Sequence, residues 1–122
     1  MSKKVTYDFC SLTIHDNYLI VVINEGEDLT PDHNQVLVDI AHKYFKDKPF
    51  VYITHRLYSY SVDPKIYYGT SKIPNLVGFA VVSKDYKAKT NAEIEKLFFN
   101  KPFEIFTVLE DAVAWAENIL AL

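Results

Sequence analysis

The chain has 122 residues, of which 49% are apolar and 24% charged, a formal net charge of -3 and one cysteine. Such a length suits one domain, residues 1–122, which buries roughly two-thirds of its unfolded surface and folds without a metal or disulfide. Scattered lysines on a net acidic chain exclude a general nucleic-acid binder, which needs a concentrated basic surface, and no apolar run approaches the ~20 residues that span a bilayer.

Val5, Tyr7 and Phe9 alternate, and Leu12 and Ile14 alternate in a shifted phase. The pattern predicts one long strand or two short ones, with a bulge near Cys10-Ser11. Asp16-Asn17 reads as a two-residue turn, since both residues tolerate positive φ. Tyr18 to Ile23 (YLIVVI) is a near-continuous apolar run, the mark of a central strand covered on both faces. The first 24 residues thus read as an antiparallel hairpin. Asn24 to Leu29 is an acidic loop. Thr30-Pro31 opens a helix as N-cap and first helical residue, and Val36, Leu37, Ile40, Ala41, Tyr44 and Phe45 share one helical face. Lys43, Lys46 and Lys48 suit the negative end of its dipole, and Pro49 stops it. Phe50 to Thr54 is the next strand.

His55 to Val62 (HRLYSYSV) is a polar and aromatic connection. Asp63-Pro64 repeats the helix-opening signature, so a short helix is predicted to Ile73. Leu76 to Val82 is a buried strand. A third helix lies within Asp85 to Phe99, with Asp85 or the Thr90-x-x-Glu93 capping box as its start and Ile94, Leu97 and Phe98 as its inner face. Phe103 to Phe106 is the last strand. Thr107-x-x-Glu110 caps the last helix, whose inner stripe is Ala112, Trp115, Ala116, Ile119 and Leu120. Alternating helices and strands force right-handed crossovers. The predicted fold is α/β: a mixed sheet with an N-terminal antiparallel hairpin followed by mostly parallel strands.

Ala80-Val81-Val82, Phe98-Phe99, the strand Phe103 to Phe106 and the Ala112 to Trp115 pattern of the last helix carry a resemblance. Together with the element order from the hairpin onward, they resemble the SpoIIAA-like proteins. These are small bacterial domains related to STAS domains and similar in fold to the Sec14-like lipid-binding class. The resemblance covers nearly the whole chain and rests mostly on core-packing motifs. It implies a non-enzymatic regulatory or protein-interaction module, or a carrier or sensor of a lipid-like or other small apolar ligand held between the second helix and the sheet. STAS anti-sigma antagonists switch on phosphorylation of a serine just before the second helix, set in Asp-Ser followed by small residues and Gly. This chain has Tyr58-Ser59-Tyr60-Ser61-Val62-Asp63-Pro64 there, so Ser59 and Ser61 are close in topology while the motif is absent.

The connection from His55 to Asp63 is the best site candidate, because open α/β sheets bind ligands at the carboxyl ends of parallel strands. Free N–H groups at the start of the second helix would favour an anion, Arg56 could add charge, and Tyr58 and Tyr60 could clasp a ligand or partner. The plainer alternative has the tyrosines shielding the core edge and the serines in water. Tyr67, Tyr68 and Phe79 could line an apolar pocket, although half-buried helical tyrosines more often fill a core.

No metal is expected. His15, His33, His42 and His55 are not at ligand spacing, and one cysteine completes no zinc set. His55 with Arg56 could bind a phosphate. Cys10 reads as a small buried hydrophobe. Glu25, Glu27, Asp28 and Asp32 form an acidic rim without the ordered spacing of a calcium loop, and Trp115 reads as a core anchor. Only Gly26, Gly69 and Gly78 are present, so there is no Gly-rich phosphate loop, and no Gly-x-Ser-x-Gly elbow exists. The expectation is a non-enzymatic domain without cofactor. It would engage a protein partner through the rim near Glu25 to Asp32 and the Tyr58–Asp63 connection, with a homodimer left open. The opening MSKKVTYDF has no apolar signal core and Cys10 is alone, so the cytoplasm is the expected location.

Overall fold

In the computed structural model, which describes residues 2–121, the chain begins as a three-stranded antiparallel meander: β1 (Lys3–Thr6), β2 (Cys10–Ile14) and β3 (Tyr18–Ile23). The phase shift after Phe9 is a turn and not the expected bulge. Tyr7 N–H donates to the Cys10 carbonyl at 2.8 Å, and Thr6 pairs across the turn with Ser11. The predicted hairpin is β2–β3, turning at Asp16-Asn17, with His15 N–H donating to the Tyr18 carbonyl at 2.9 Å. That turn uses no positive φ; among the described non-glycine residues only Lys46 has one.

The remaining elements are β4 (Asp28–Leu29), α1 (Pro31–Phe45), β5 (Phe50–His55), β6 (Ser61–Val62), α2 (Ile66–Thr70), β7 (Leu76–Val82), α3 (Tyr86–Glu95), β8 (Phe103–Phe106) and α4 (Leu109–Leu120), with a 3₁₀ turn Lys96–Phe98 continuing α3. The main sheet runs β1-β2-β3-β5-β7-β8, antiparallel as far as β3 and parallel from β3 to β8. Three successive crossovers advance the strand order in the same direction. Right-handed connections therefore place α1, α2 and α3 on one face of the sheet, and only α4 packs on the other.

The three-helix face holds the larger core. Leu19, Val21, Tyr52, Phe79 and Phe103 from the sheet meet Leu37, Ile40, Ile66, Tyr67 and Ala92 from the helices. Its centre is aromatic. Tyr52, Phe79 and Phe103 stack in sequence at 4.7 and 5.2 Å, with Tyr67 edge-on to Phe79 at 5.4 Å. On the other face, Val51, Ile53, Ala80 and Val82 meet Ala112 and Ala116 of α4. The approach is close because Gly78 has no side chain: Trp115 and Ile119 lie over its Cα.

Local signals set some helix ends and lose others. Thr30 caps α1, accepting from His33 N–H. The His33 ring stacks on Phe9 at 4.5 Å, and its Nδ1 lies 2.9 Å from the Asp28 carbonyl oxygen. The helix after Asp63-Pro64 is shorter than predicted. Asp63 makes a turn, its carboxylate accepting from Lys65 N–H at 3.0 Å, and α2 begins only at Ile66. Asn34 fastens it to α1 by donating to Thr70 Oγ1 at 2.8 Å. Asp85 starts α3, while Thr90 donates back to the Tyr86 carbonyl inside the helix, so its capping box does not form. The Thr107–Glu110 box does not form either: Thr107 accepts from Lys89 Nζ, and α4 starts after an extended Val108 with no side-chain cap.

The inner face expected for the third helix is also corrected. Ile94, Leu97 and Phe98 point to solvent, whereas Ala92, Glu95 and Phe99 are buried.

A Gly78→Ala substitution would bring its Cβ to 2.7 Å from Ile119 Cδ1 and 2.9 Å from Trp115 Cη2. The expected outcome is a loss of about 1–3 kcal/mol, read as a lower urea midpoint at unchanged slope. An unchanged midpoint would show that α4 gives way freely.

Candidate functional site

Arg56 directly follows β5, and its backbone N–H bonds the Val82 carbonyl of β7 at 2.8 Å. Its side chain turns toward α3, where Nη1 donates to Glu95 Oε2 at 3.0 Å and Nη2 pairs with Oε1. Both side chains are under a tenth exposed. Arg56 Nε donates to the Tyr60 hydroxyl oxygen at 3.1 Å, which also lies 3.1 Å from Thr54 Oγ1. Tyr67 donates to Glu95 Oε1 at 2.5 Å. Burial works against the charge of Arg56, but Tyr60, Glu95 and Tyr67 more than offset it and raise the guanidinium pKa. Burial, then the Glu95 carboxylate, holds the Tyr67 phenol well above its usual range.

This network floors a cleft of about 800 Å³ at the carboxyl ends of β5 and β7. One wall is made by two segments far apart in sequence. β4 pairs with β6 in parallel, Asp28 opposite Ser61 and Leu29 opposite Val62. Gly26 N–H donates to the Ser59 carbonyl at 2.8 Å, and Ser61 N–H to the Glu27 carbonyl at 2.9 Å. Gly26 has φ +79°, a conformation that favours glycine. Ser59 N–H donates to the Glu25 carboxylate at 3.1 Å, and Ser61 Oγ donates to Asp28. The opposite wall is the start and inner edge of α3, with Asp85, Lys87, Asn91 and Ile94. Leu57 and Tyr58 stand exposed at the mouth.

Of the residues singled out in the sequence, the structure brings Arg56, Tyr58, Ser59, Tyr60 and Ser61 into this cleft together with Glu25, Glu27 and Asp28. It separates three. His55 alternates with Val51 and Ile53 onto the α4 face, among the charges of Glu110 and Lys84, so it cannot act with Arg56. Tyr67 is buried and Tyr68 stands at the edge against Phe98. The aromatic stack fills the space beneath α2, where an apolar pocket was the alternative to core packing.

The expected anion seat at the start of the second helix is also gone. The Lys65, Ile66, Tyr67 and Tyr68 N–H groups bond Asp63, Pro64 and Lys65 oxygens within the turn. A phosphate on Ser61 would remove its hydroxyl donor and stand against Asp28. Glu95 is the site residue that the sequence pattern did not point to. Its signal was a carboxylate in register with Ala88 and Ala92 on the helix.

The cleft is electronegative. Glu25, Glu27, Asp28 and Asp85 line it, while Arg56 is consumed by Glu95 and Lys87 is its other cation. Cys10 lies outside it, fully buried, with its thiol pushed up to about 12 by burial and then by Glu27, which disfavours the nucleophilic thiolate. Among the described residues no group of three or more His, Cys, Asp or Glu side chains could hold a metal ion, and no helix is long and apolar enough to cross a membrane. No protein-family model, curated protein or solved structure matches the chain.

Glu95→Ala leaves the Arg56 guanidinium buried without its counter-ion. It is expected to destabilise the fold by about 3–5 kcal/mol, whereas the Arg56→Met/Glu95→Leu double variant regains most of that stability. Chemical denaturation of both decides it, and a Glu95→Ala loss below about 1 kcal/mol would show the pair to be solvated. His55 gives a pH dependence. Burial lowers its folded pKa below 6.5, with Glu110 opposing and Lys84 adding. Its contribution is complete above pH 6.5 and is lost as pH falls through the folded value, because the unfolded chain takes up the proton first. His55→Gln is expected to flatten the fall in stability on acidification below pH 6.5; identical pH profiles for both proteins would contradict this.

Proposed function

We infer that this protein is a non-enzymatic interaction module of the SpoIIAA-like/STAS type that docks a short cationic segment of a protein partner in the cleft. The observation that carries the reading is the joining of Glu25–Asp28 to Ser59–Ser61 by backbone pairing, which turns the acidic rim and the aromatic connection into one wall. The sign of the cleft selects the partner. Four carboxylates and one unpaired lysine favour Lys or Arg side chains over phosphate. Tyr58 at the mouth offers a ring for an arriving cation. The resemblance to SpoIIAA-like proteins supports a regulatory, partner-binding role. The packed rings beneath α2 favour this reading over a carrier of an apolar ligand.

Selection of displayed random peptides provides the test. Recovered peptides are expected to be rich in Lys and Arg and to shift the amide resonances of residues 25–28 and 57–61. Glu27→Gln combined with Tyr58→Ala is expected to weaken them at least about tenfold, the scale of removing one charge and one aromatic ring from an interface. Failure to recover any cationic peptide, or shifts confined to another face, would overturn the reading.

A further inference from the structure

α3 is turned inside out. A surface helix ordinarily buries its apolar side chains and exposes its charges. Here Ala92 and Glu95 are the buried residues, at 0% and 5% exposure, while Tyr86, Ile94 and Leu97 are exposed by 84%, 53% and 81%. The 3₁₀ turn adds Phe98, which meets the exposed Tyr68 of α2 edge-on at 6.4 Å. Leu97, Phe98 and Tyr68 therefore form an apolar tip on the α2–α3 side of the molecule.

The charges around this tip differ in sign from those of the chain as a whole. Lys65 and Lys72, both exposed, lie three residues before and four after Tyr68, and Lys96 adjoins Leu97. Against these stand Asp85, which caps the helix, and Glu93 on the outer face; Glu95 is neutralised by Arg56.

We propose that this face of α3, with Tyr68 of α2, docks on an anionic phospholipid surface, Leu97 and Phe98 entering the headgroup region and the lysines meeting the lipid charge. Three considerations select this occupant. Leu, Tyr and Phe mixed with Lys are the side chains that a membrane interface takes up together. Leu97 stands proud of a tight turn, a shape that a fluid interface accommodates and that a rigid partner could take only with a matching pocket. A second copy of the chain fits badly, because a two-fold contact brings the same patch from both copies together and so crowds two sets of Lys65, Lys72 and Lys96 into one interface. The attachment is peripheral: apolar insertion and electrostatic attraction each fall short alone and act together. It is independent of the cleft reading.

Co-sedimentation of the whole protein with phosphatidylcholine vesicles, with and without phosphatidylserine, tests it. Binding is expected only with phosphatidylserine and is expected to weaken with salt. Each lysine near an anionic surface is worth roughly fivefold in partitioning, so Lys65→Glu/Lys96→Glu is expected to lower binding by more than about tenfold. Leu97→Ser/Phe98→Ser is expected to lower it comparably. Leu97 is exposed and Phe98 half-exposed, so both variants should retain the circular-dichroism spectrum and thermal transition, and both should still bind cleft peptides. Absence of vesicle binding, or equal binding to neutral and anionic vesicles, would overturn the proposal. So would a concentration-dependent dimer in light scattering that Leu97→Ser abolishes, which would make the tip a contact between copies.

Discussion

The buried Glu95 carboxylate is the constraint around which the α3 side of the molecule is arranged. Removing a carboxylate from water costs several kcal/mol unless an opposite charge and further hydrogen bonds meet it. Arg56 meets it in a two-pronged pair and Tyr67 adds a hydroxyl donor. Arg56 is in turn placed by the β5–β7 pairing, through its backbone bond to Val82. The ion pair therefore fastens α3 to the end of the parallel sheet and fixes its rotation. Successive helical residues point about 100° apart, so a helix that aims Glu95 inward cannot also bury Ile94. The inner surface is left to Ala88 and Ala92, whose small side chains let the helix lie close, and the larger apolar side chains are turned outward.

The same pair determines the electrostatics of the cleft. A free arginine at the end of β5 would have made an anion site, and the helix start nearby suggested the same. With the guanidinium committed to Glu95, the carboxylates of Glu25, Glu27 and Asp28 dominate. They are not loose loop charges. The β4–β6 pairing and the Ser59 and Ser61 donors hold them on one wall. The chain thus separates its charge, with acidic groups on the cleft wall and Lys65, Lys72 and Lys96 beside the apolar tip, although its net charge is small.

What was legible in the sequence follows from the strength of local signals. The buried runs YLIVVI, FVYIT and LVGFAVV leave little choice but central strands, and Thr30-Pro31 marks a helix start through two mechanisms at once. From these the mixed sheet and the crossover order follow. Two-residue strands such as Asp28–Leu29 have no periodicity to read, so the wall of the cleft was visible only as two separate loops. The rotation of α3 was misread because Ile94, Leu97 and Phe98 are apolar at helical spacing, and nothing local says that a carboxylate will displace them; Arg56 lies 39 residues earlier. The Thr107 cap failed for a similar reason, since a lysine from α3 takes its hydroxyl. His55 and Arg56 are neighbours in sequence, but a strand running through His55 turns their side chains to opposite faces.

Because α3 carries one wall of the cleft on its inner edge and the apolar tip on its outer face, the stiffness of its attachment governs how the two surfaces relate. Opening the cleft by swinging α3 away would separate Arg56 from Glu95 and leave two charges without partners in a site that excludes most water. The loss is of the same order as the whole stability of a small domain, so such a swing is not available as an ordinary fluctuation. The cleft is therefore preformed, and a segment entering it meets side chains already held by the Tyr60–Arg56–Glu95–Tyr67 chain of hydrogen bonds. Preformed sites spare the ordering cost that flexible ones impose on binding. The outer face is equally fixed and presents Leu97 and Phe98 without rearrangement. Two rigid surfaces on one helix can be occupied at once, and they would influence each other through the charges and partners they bring together, with no change of shape in the domain itself.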